Sequence, residues 1–211
     1  MQLQAHTLYH VYNRGNNRQR IFFTAANYLF FLKKLREQVH PLCPIVGYCL
    51  MPNHFHLLLY PGETAVADFP VRAGVPRSRL AAAFATLLSS YAQGINKQER
   101  RTGVLFEGRT QAKALSTERY AHWCLHYLHQ NPVRAGLVPT LAEWPYASYP
   151  DYAGLRQGTL CDLALGRELL DLPADAALFR HESAQQLDPD RMRPALHGAP
   201  ARPGGFSPPG R

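Results

Sequence analysis

The chain has 211 residues, 46% of them hydrophobic and 18% charged, which excludes global disorder and fits one domain of ordinary size with an appendage. Lys and Arg number 23 against 15 Asp and Glu, a formal charge of +8 that favours a polyanionic partner, nucleic acid before a membrane surface. No run approaches the ~18 apolar residues of a spanning helix, the N-terminus lacks the basic-then-apolar pattern of a secretory leader, and Cys43, Cys49, Cys124 and Cys161 form no CxxC pair, so neither a zinc ribbon nor a disulfide framework is suggested and a thiol-reduced, cytoplasmic protein is expected.

In chain order, residues 7–13 (TLYHVYN) read as a strand, and Arg14 to Arg20 as a polar loop with three arginines. Thr24 can cap a helix over Ala25 to Val39, in which Tyr28, Leu29, Phe31, Leu32 and Leu35 recur at helical spacing. Ile45–Leu50 and His54–Tyr60 read as strands joined by the turn Met51-Pro52-Asn53, an antiparallel hairpin. Residues 63–78 give no clear pattern. Arg79 to Lys97 is a helix with Leu80, Phe84, Leu87, Leu88 and Tyr91 on one face, and Val104 to Leu115 reads as extended with a break at Gly108. Glu118 to about Gln130 is a further helix, ended by Asn131-Pro132 because proline disfavours a helical residue before it. The aromatic stretch Trp144 to Tyr149 is expected to pack back on the domain. The order implies an α+β domain with a mainly antiparallel sheet and helices on one face. Residues 1–150 form this domain and 151–193 a partly helical extension. Residues 194–211 hold five Pro and four Gly, and are expected to be a disordered tail.

The sharpest chemical feature is His54-Phe55-His56. Side chains two apart on a strand share a face, so both imidazoles project together while Phe55 points away. Such a pair suits a divalent metal; the plainer reading is two separately hydrogen-bonded histidines on a half-exposed sheet. Tyr127 and Asn131 stand one helical turn apart, able to approach one metal and one phosphate, though a tyrosine at an apolar helix position is more often core. Asn13, Arg14, Asn17 and Arg18 in one loop, with Arg109 and Lys113 near the fourth strand, supply the side chains suited to phosphate and base-edge contacts, or a solvated charge cluster.

Taken together, Tyr9-His-Val-Tyr-Asn-Arg-Gly15, Gly47-Tyr-Cys-Leu-Met-Pro-Asn-His-Phe-His-Leu-Leu58, Tyr127-Leu-His-Gln-Asn-Pro-Val-Arg-Ala-Gly-Leu-Val138 and Trp144-Pro-Tyr-Ala-Ser-Tyr149 resemble, in order, the single-tyrosine HUH transposases, and among them the bacterial REP-associated tyrosine transposases. The resemblance covers residues 7 to about 149. It implies a ferredoxin-like, RRM-related fold, with His54 and His56 as ligands of a divalent metal (Mg or Mn), Asn131 as the third metal contact and Tyr127 as the nucleophile. It further implies a DNA transposase that nicks and rejoins single-stranded DNA at hairpin-forming repeats through a 5′-phosphotyrosine intermediate. Asn13, Arg14, Asn17, Arg18, Arg109 and Lys113 would then contact DNA. A bacterial, nucleoid-associated monomer or homodimer with no membrane partner is expected. Two other classes stay open: a non-catalytic single-strand or RNA-binding module built on a sheet with stacking aromatics, and a metal-dependent phosphodiesterase that uses water.

Overall fold

Strand-forming apolar residues build three strands of the main sheet, β1 (Tyr9–Arg14), β2 (Ile45–Met51) and β3 (His54–Leu59), with the helix α1 (Ala25–Gln38) packed on them. The computed structural model describes residues 3–69 and 77–185. After β3 come α2 (Glu63–Val66), the two-residue strands β4 (Asp68–Phe69) and β5 (Arg77–Ser78), α3 (Arg79–Gln98), β6 (Gln111–Ala114), α4 (Glu118–Arg134), α5 (Tyr149–Tyr152), α6 (Leu163–Leu170) and α7 (Ala176–Ala184). The expected tail, 194–211, lies outside the described residues.

The main sheet has the order β2-β3-β1-β6, with every neighbouring pair antiparallel; β4 and β5 pair separately. The expected strand over 104–115 shrinks to Gln111–Ala114, because Gly108 takes a left-handed conformation (φ 54°) and only a bridge between Phe106 and Gly15 precedes it.

Helices cover both faces of the sheet rather than one. On the first face Val11, Leu50, Phe55, Leu57 and Leu59 pack against Tyr28, Phe31 and Leu35 of α1 and Leu80, Phe84, Leu87 and Tyr91 of α3. On the second, Leu8, Val46, Cys49, Met51 and Leu58 are also apolar; they meet Ala121, Cys124, Leu125 and Leu128 of α4. Each such buried aliphatic or aromatic side chain contributes ~1.5–3 kcal/mol relative to exposure, so a second apolar face draws a second helical layer. Leu170, Leu172 and Phe179, all beyond residue 150, sit in that same cluster.

The segment 144–149 lies along the β2 edge as expected. Leu50 N–H donates to Tyr146 O and Ser148 N–H to Tyr48 O, both at 2.9 Å, and the Tyr28 and Tyr146 rings stack at 3.9 Å. This covers one otherwise open sheet edge.

α4 does not stop at Asn131. Pro132 lies inside its last turn, and the chain leaves the helix at Gly136, which adopts φ 67°. Ala135 N–H reaches Asn131 O and Gly136 N–H reaches Val133 O, both at 2.9 Å, a left-handed glycine stop. The proline is tolerated because it removes one donor near the helix end, where few bonds remain to break. Asn131 therefore keeps helical register with Tyr127. Among the described residues, no helix is long and apolar enough to cross a membrane.

Candidate functional site

Strand register assembles a polar row on the face that α4 partly covers. His54 pairs with Arg14 and Met51, His56 with Tyr12 and Cys49, and Leu58 with His10, which in turn pairs with Lys113 of β6. Residues opposite each other across a ladder share a face, so His10, Tyr12, Arg14, His54, His56 and Lys113 all project to the same side. The two imidazoles of the HxH pair stand edge to face, 4.9 Å between centroids, and both are half-buried.

Each imidazole has one nitrogen committed. His54 Nδ1 lies 2.6 Å from Asn53 Oδ1, and Asn53 Nδ2 donates to Arg18 O at 3.2 Å, which fixes the amide with its oxygen toward the ring. An amide oxygen only accepts, so His54 Nδ1 carries the proton and Nε2 the lone pair. His56 Nδ1 lies 2.8 Å from Nε2 of the fully buried His10, with which it also stacks at 5.0 Å. Burial, and then the Arg14 charge, push the His54 pKa down to about 4. Burial, then His54 and His10, hold His56 well below the usual histidine range. Both rings are neutral at pH 7, the form that ligates a metal, with their Nδ1 atoms oriented by second partners and Nε2 left for a cation. The donor set fits a divalent ion.

α4, which carries Tyr127 and Asn131, packs on the same face of the sheet, against β2. A Cβ at Gly47 of β2 would stand 2.5 Å from Leu125 Cδ1, so the missing side chain is what lets α4 approach the sheet this closely. Leu125 and Leu128 face the sheet, leaving Tyr127 and Asn131 on a half-buried flank of the helix, one turn apart. The Arg134 guanidinium lies 5.1 Å from the Tyr127 ring centroid. Burial raises the Tyr127 pKa and Arg134 partly offsets it, so the phenol is protonated at neutral pH. Tyr120, a second tyrosine on α4 and so the alternative nucleophile on that helix, is pushed up to about 12 by burial, and its buried hydroxyl has no hydrogen-bond partner.

The residues read as DNA contacts separate. Asn17 and Arg18 are exposed, both with positive φ (51° and 58°), in a loop after β1. Gly15 permits that loop: a Cβ there would stand 2.0 Å from Gln19 O. Arg14 is held by Glu107 through two hydrogen bonds, Nε to Oε2 and Nη2 to Oε1, the second at 2.9 Å. Arg109 is exposed, and Lys113 is half-buried at the β6 edge on the histidine side. Asn13 departs from the expectation. It pairs with Phe55, on the opposite face from His54, and is 5% exposed; its Oδ1 accepts from Arg14 N–H at 2.7 Å and its Nδ2 reaches Thr110. Strand alternation cannot give Asn13 and Arg14 the same face, so Asn13 shapes the strand end beside the row rather than joining it.

Sequence reasoning did not single out His10, Asn53 or Glu107. His10 was signalled by alternation with Tyr12 and Arg14, and Asn53 by its place directly before His54, whose ring it holds; Glu107 carried no local signal, because it reaches Arg14 across the fold.

No family model matches the chain. A curated protein of Haemophilus influenzae named as a REP-associated tyrosine transposase is 26% identical over 106 residues, 49% of this chain and 57% of the relative, so the chain spans little more than half that relative's length. A solved structure, described as a REP-associated tyrosine transposase bound to a REP hairpin, superposes with a TM-score of 0.52 at 14% identity, covering 82% of this chain and 88% of its own. That likeness establishes the α+β fold, with helices packed on an antiparallel sheet. In its ordered motifs, in its curated relative and in its fold, this chain resembles the REP-associated tyrosine transposases.

Proposed function

We propose that the protein is a metal-dependent strand transferase that cleaves and rejoins single-stranded DNA beside a hairpin, with Tyr127 as nucleophile and His54, His56 and Asn131 as the cation site. The observation that carries this is the pair of neutral imidazoles on one face, each with Nδ1 tied to an acceptor or a second ring. The hairpin bound by the solved relative supports the choice of DNA form.

In the cleavage step Tyr127 Oη forms a bond to phosphorus and the P–O3′ bond breaks. The products are a 5′-phosphotyrosine and a 3′-hydroxyl, and the proton lost by the phenol is balanced by the one gained at the 3′-oxygen. The covalent link conserves the phosphodiester energy, so a 3′-hydroxyl can reverse the step without ATP. When bound, the divalent ion supplies Lewis-acid polarisation of the scissile phosphate. Such help is needed, because the Tyr127 phenol sits above its ordinary pKa of ~10. Asn17, Arg18, Arg109 and Lys113 bind the strand. Arg14 joins them once Glu107 releases it.

The test is a denaturing gel after incubation with hairpin-bearing single strands and Mn²⁺. Tyr127→Phe should bind the same DNA with near wild-type affinity and form no protein–DNA adduct, while Tyr120→Phe keeps the adduct. An adduct that survives Tyr127→Phe and vanishes in Tyr120→Phe overturns the nucleophile. Cleavage without adduct in the wild type would point to a water-using phosphodiesterase, and binding without cleavage to a nucleic-acid-binding module.

A further inference from the structure

We propose that His122, His126 and Glu182 form a second divalent-cation site, of zinc type, that clips α7 to the side of α4 facing away from the sheet. His122 and His126 are four apart on α4 and share a face, with ring centroids 4.6 Å apart. Glu182 comes from α7, and the three donor atoms all lie within 4.8 Å of one another.

The rings are already oriented for ligation. His122 Nδ1 lies 2.8 Å from Leu170 O, and a carbonyl can only accept, so the proton is on Nδ1 and the lone pair on Nε2. His126 Nδ1 lies 3.0 Å from the buried Ser183 Oγ. His126 is 1% exposed, and its Nε2 has no hydrogen-bond partner; Glu182 Oε2, from the facing helix, is likewise buried without one. Unpartnered buried polar atoms are costly, and one cation held by the Nδ1–H tautomer of His126, which the Ser183 hydroxyl can accept from, satisfies both. Nδ1 held by a carbonyl or hydroxyl, with Nε2 aimed at a carboxylate across a helix interface, is the second-partner arrangement of metal-bound histidine.

The donor set selects the ion. Two imidazoles and one carboxylate suit zinc or another borderline transition metal and not Mg²⁺ or Ca²⁺, which take oxygen ligands. Three protein ligands leave a fourth position for water, reachable because His122 and Glu182 are only half-buried. Zinc bonds of ~2.0–2.1 Å place tetrahedral donors ~3.4 Å apart, so donors now within 4.8 Å of one another have at most ~1.4 Å to close. The site is separate from the HxH pair: His126 packs on Phe179 of α7, at 5.4 Å between ring centroids, whereas the neighbouring Leu125 faces the sheet. Its role is structural, holding the outer layer against the helix that carries Tyr127.

The experiment uses the full chain without an affinity tag, carrying His54→Ala and His56→Ala so that the first site cannot contribute. Titration with Co²⁺ alone should show about one equivalent with the visible d–d absorption of a low-coordinate site, displaced by Zn²⁺, and the thermal midpoint should rise. Adding His122→Ala, or separately the near-isosteric Glu182→Gln, should weaken binding at least tenfold, while His181→Ala on the exposed side of α7 should not. Unchanged Co²⁺ affinity in Glu182→Gln and His122→Ala overturns the proposal, as does a folded parent that binds no equivalent. If His122→Ala fails to fold by circular dichroism, Glu182→Gln decides. No DNA is involved, so failure here leaves the transposase reading standing.

Discussion

At the scale of single residues, His56 depends on His10. The fully buried His10 ring is the partner of His56 Nδ1 and stacks on it. Removing that partner leaves the ligand ring unoriented, and loss of such an outer partner commonly costs 10–100-fold in metal affinity. His10→Leu should therefore weaken Mn²⁺ binding by that range while the chain stays folded, and His10→Gln, which retains an acceptor, should recover part of it. Equal affinity in His10→Leu, measured by calorimetry, would reduce the contact to packing. Arg14 acts on the other imidazole through charge. Removing it takes away one of the two causes that depress His54, so the His54 pKa should rise in Arg14→Ala and yet stay below 6.5, because burial is the larger cause. An NMR titration of the His54 ring checks this. On DNA the same substitution should cost ~1–3 kcal/mol and blur sequence preference if Arg14 makes a bidentate base contact; equal loss on all sequences would make it a phosphate contact.

At the scale of elements, the position of α4 rests on a missing side chain. Gly47 leaves room for Leu125, whose Cδ1 would stand 2.5 Å from an added Cβ, while Ser148 Oγ and Leu58 Cδ1 at 3.5 and 3.7 Å would only touch it. Gly47→Val should destabilise the fold by ~1–3 kcal/mol through overpacking. It should also reduce adduct formation, because Tyr127 rides on the displaced helix. Pairing it with Leu125→Ala should restore part of the stability, a coupling that urea titration of the four chains can measure. Additive effects would show that β2 and α4 adjust independently. The helix end follows similar logic: Gly136, not Pro132, terminates α4, and this keeps Asn131 one turn from Tyr127.

At the scale of the whole molecule, several histidines are buried uncharged. His126 is held down at about 3 by burial and the neighbouring His122, and His129, bonded to Ser148 Oγ at 2.8 Å, lies well below the usual range through burial and His126. In the unfolded chain both titrate near 6.5. A histidine with a depressed folded pKa contributes stability that is fully present above pH 6.5 and is lost as pH falls toward the folded value. Each of the two contributes a slope of up to ~1.4 kcal/mol per pH unit below that point. The urea midpoint, measured with a chelator present, should be flat from pH 8 to 7 and fall between pH 6 and 5; a flat profile down to pH 5 would mean that these rings ionise in place. Integration of the chain beyond residue 150 can be tested too. Phe179 is 1% exposed in the cluster with Leu128 and Val46, so Phe179→Ala should cost ~3–5 kcal/mol in a single cooperative transition. A separate early transition would mark 151–193 as its own unit.

What was legible in the sequence is what depends on near neighbours along the chain. Alternation placed His54 and His56 on one face and Phe55 on the other; helical spacing set α1, α3 and the Tyr127–Asn131 pair; the ordered motifs pointed to the family resemblance. The turn at Met51-Pro52-Asn53 was legible for the same reason, whereas the return of Trp144 to Tyr149, a contact some hundred positions long, was legible from its run of aromatic residues, which need burial. Tertiary structure decided the rest, because strand register and helix docking join residues far apart in sequence. Register, not composition, put His10 behind His56, gave Arg14 to Glu107 and turned Asn13 to the opposite layer. The apolar Val46, Cys49, Met51 and Leu58 required a second cover, and only the packed chain shows that α4 supplies it, with α6 and α7 behind. His122, His126 and Glu182 lie as much as 60 positions apart in sequence, and no periodicity links the glutamate to the histidines; the α4–α7 interface alone brings their donor atoms together.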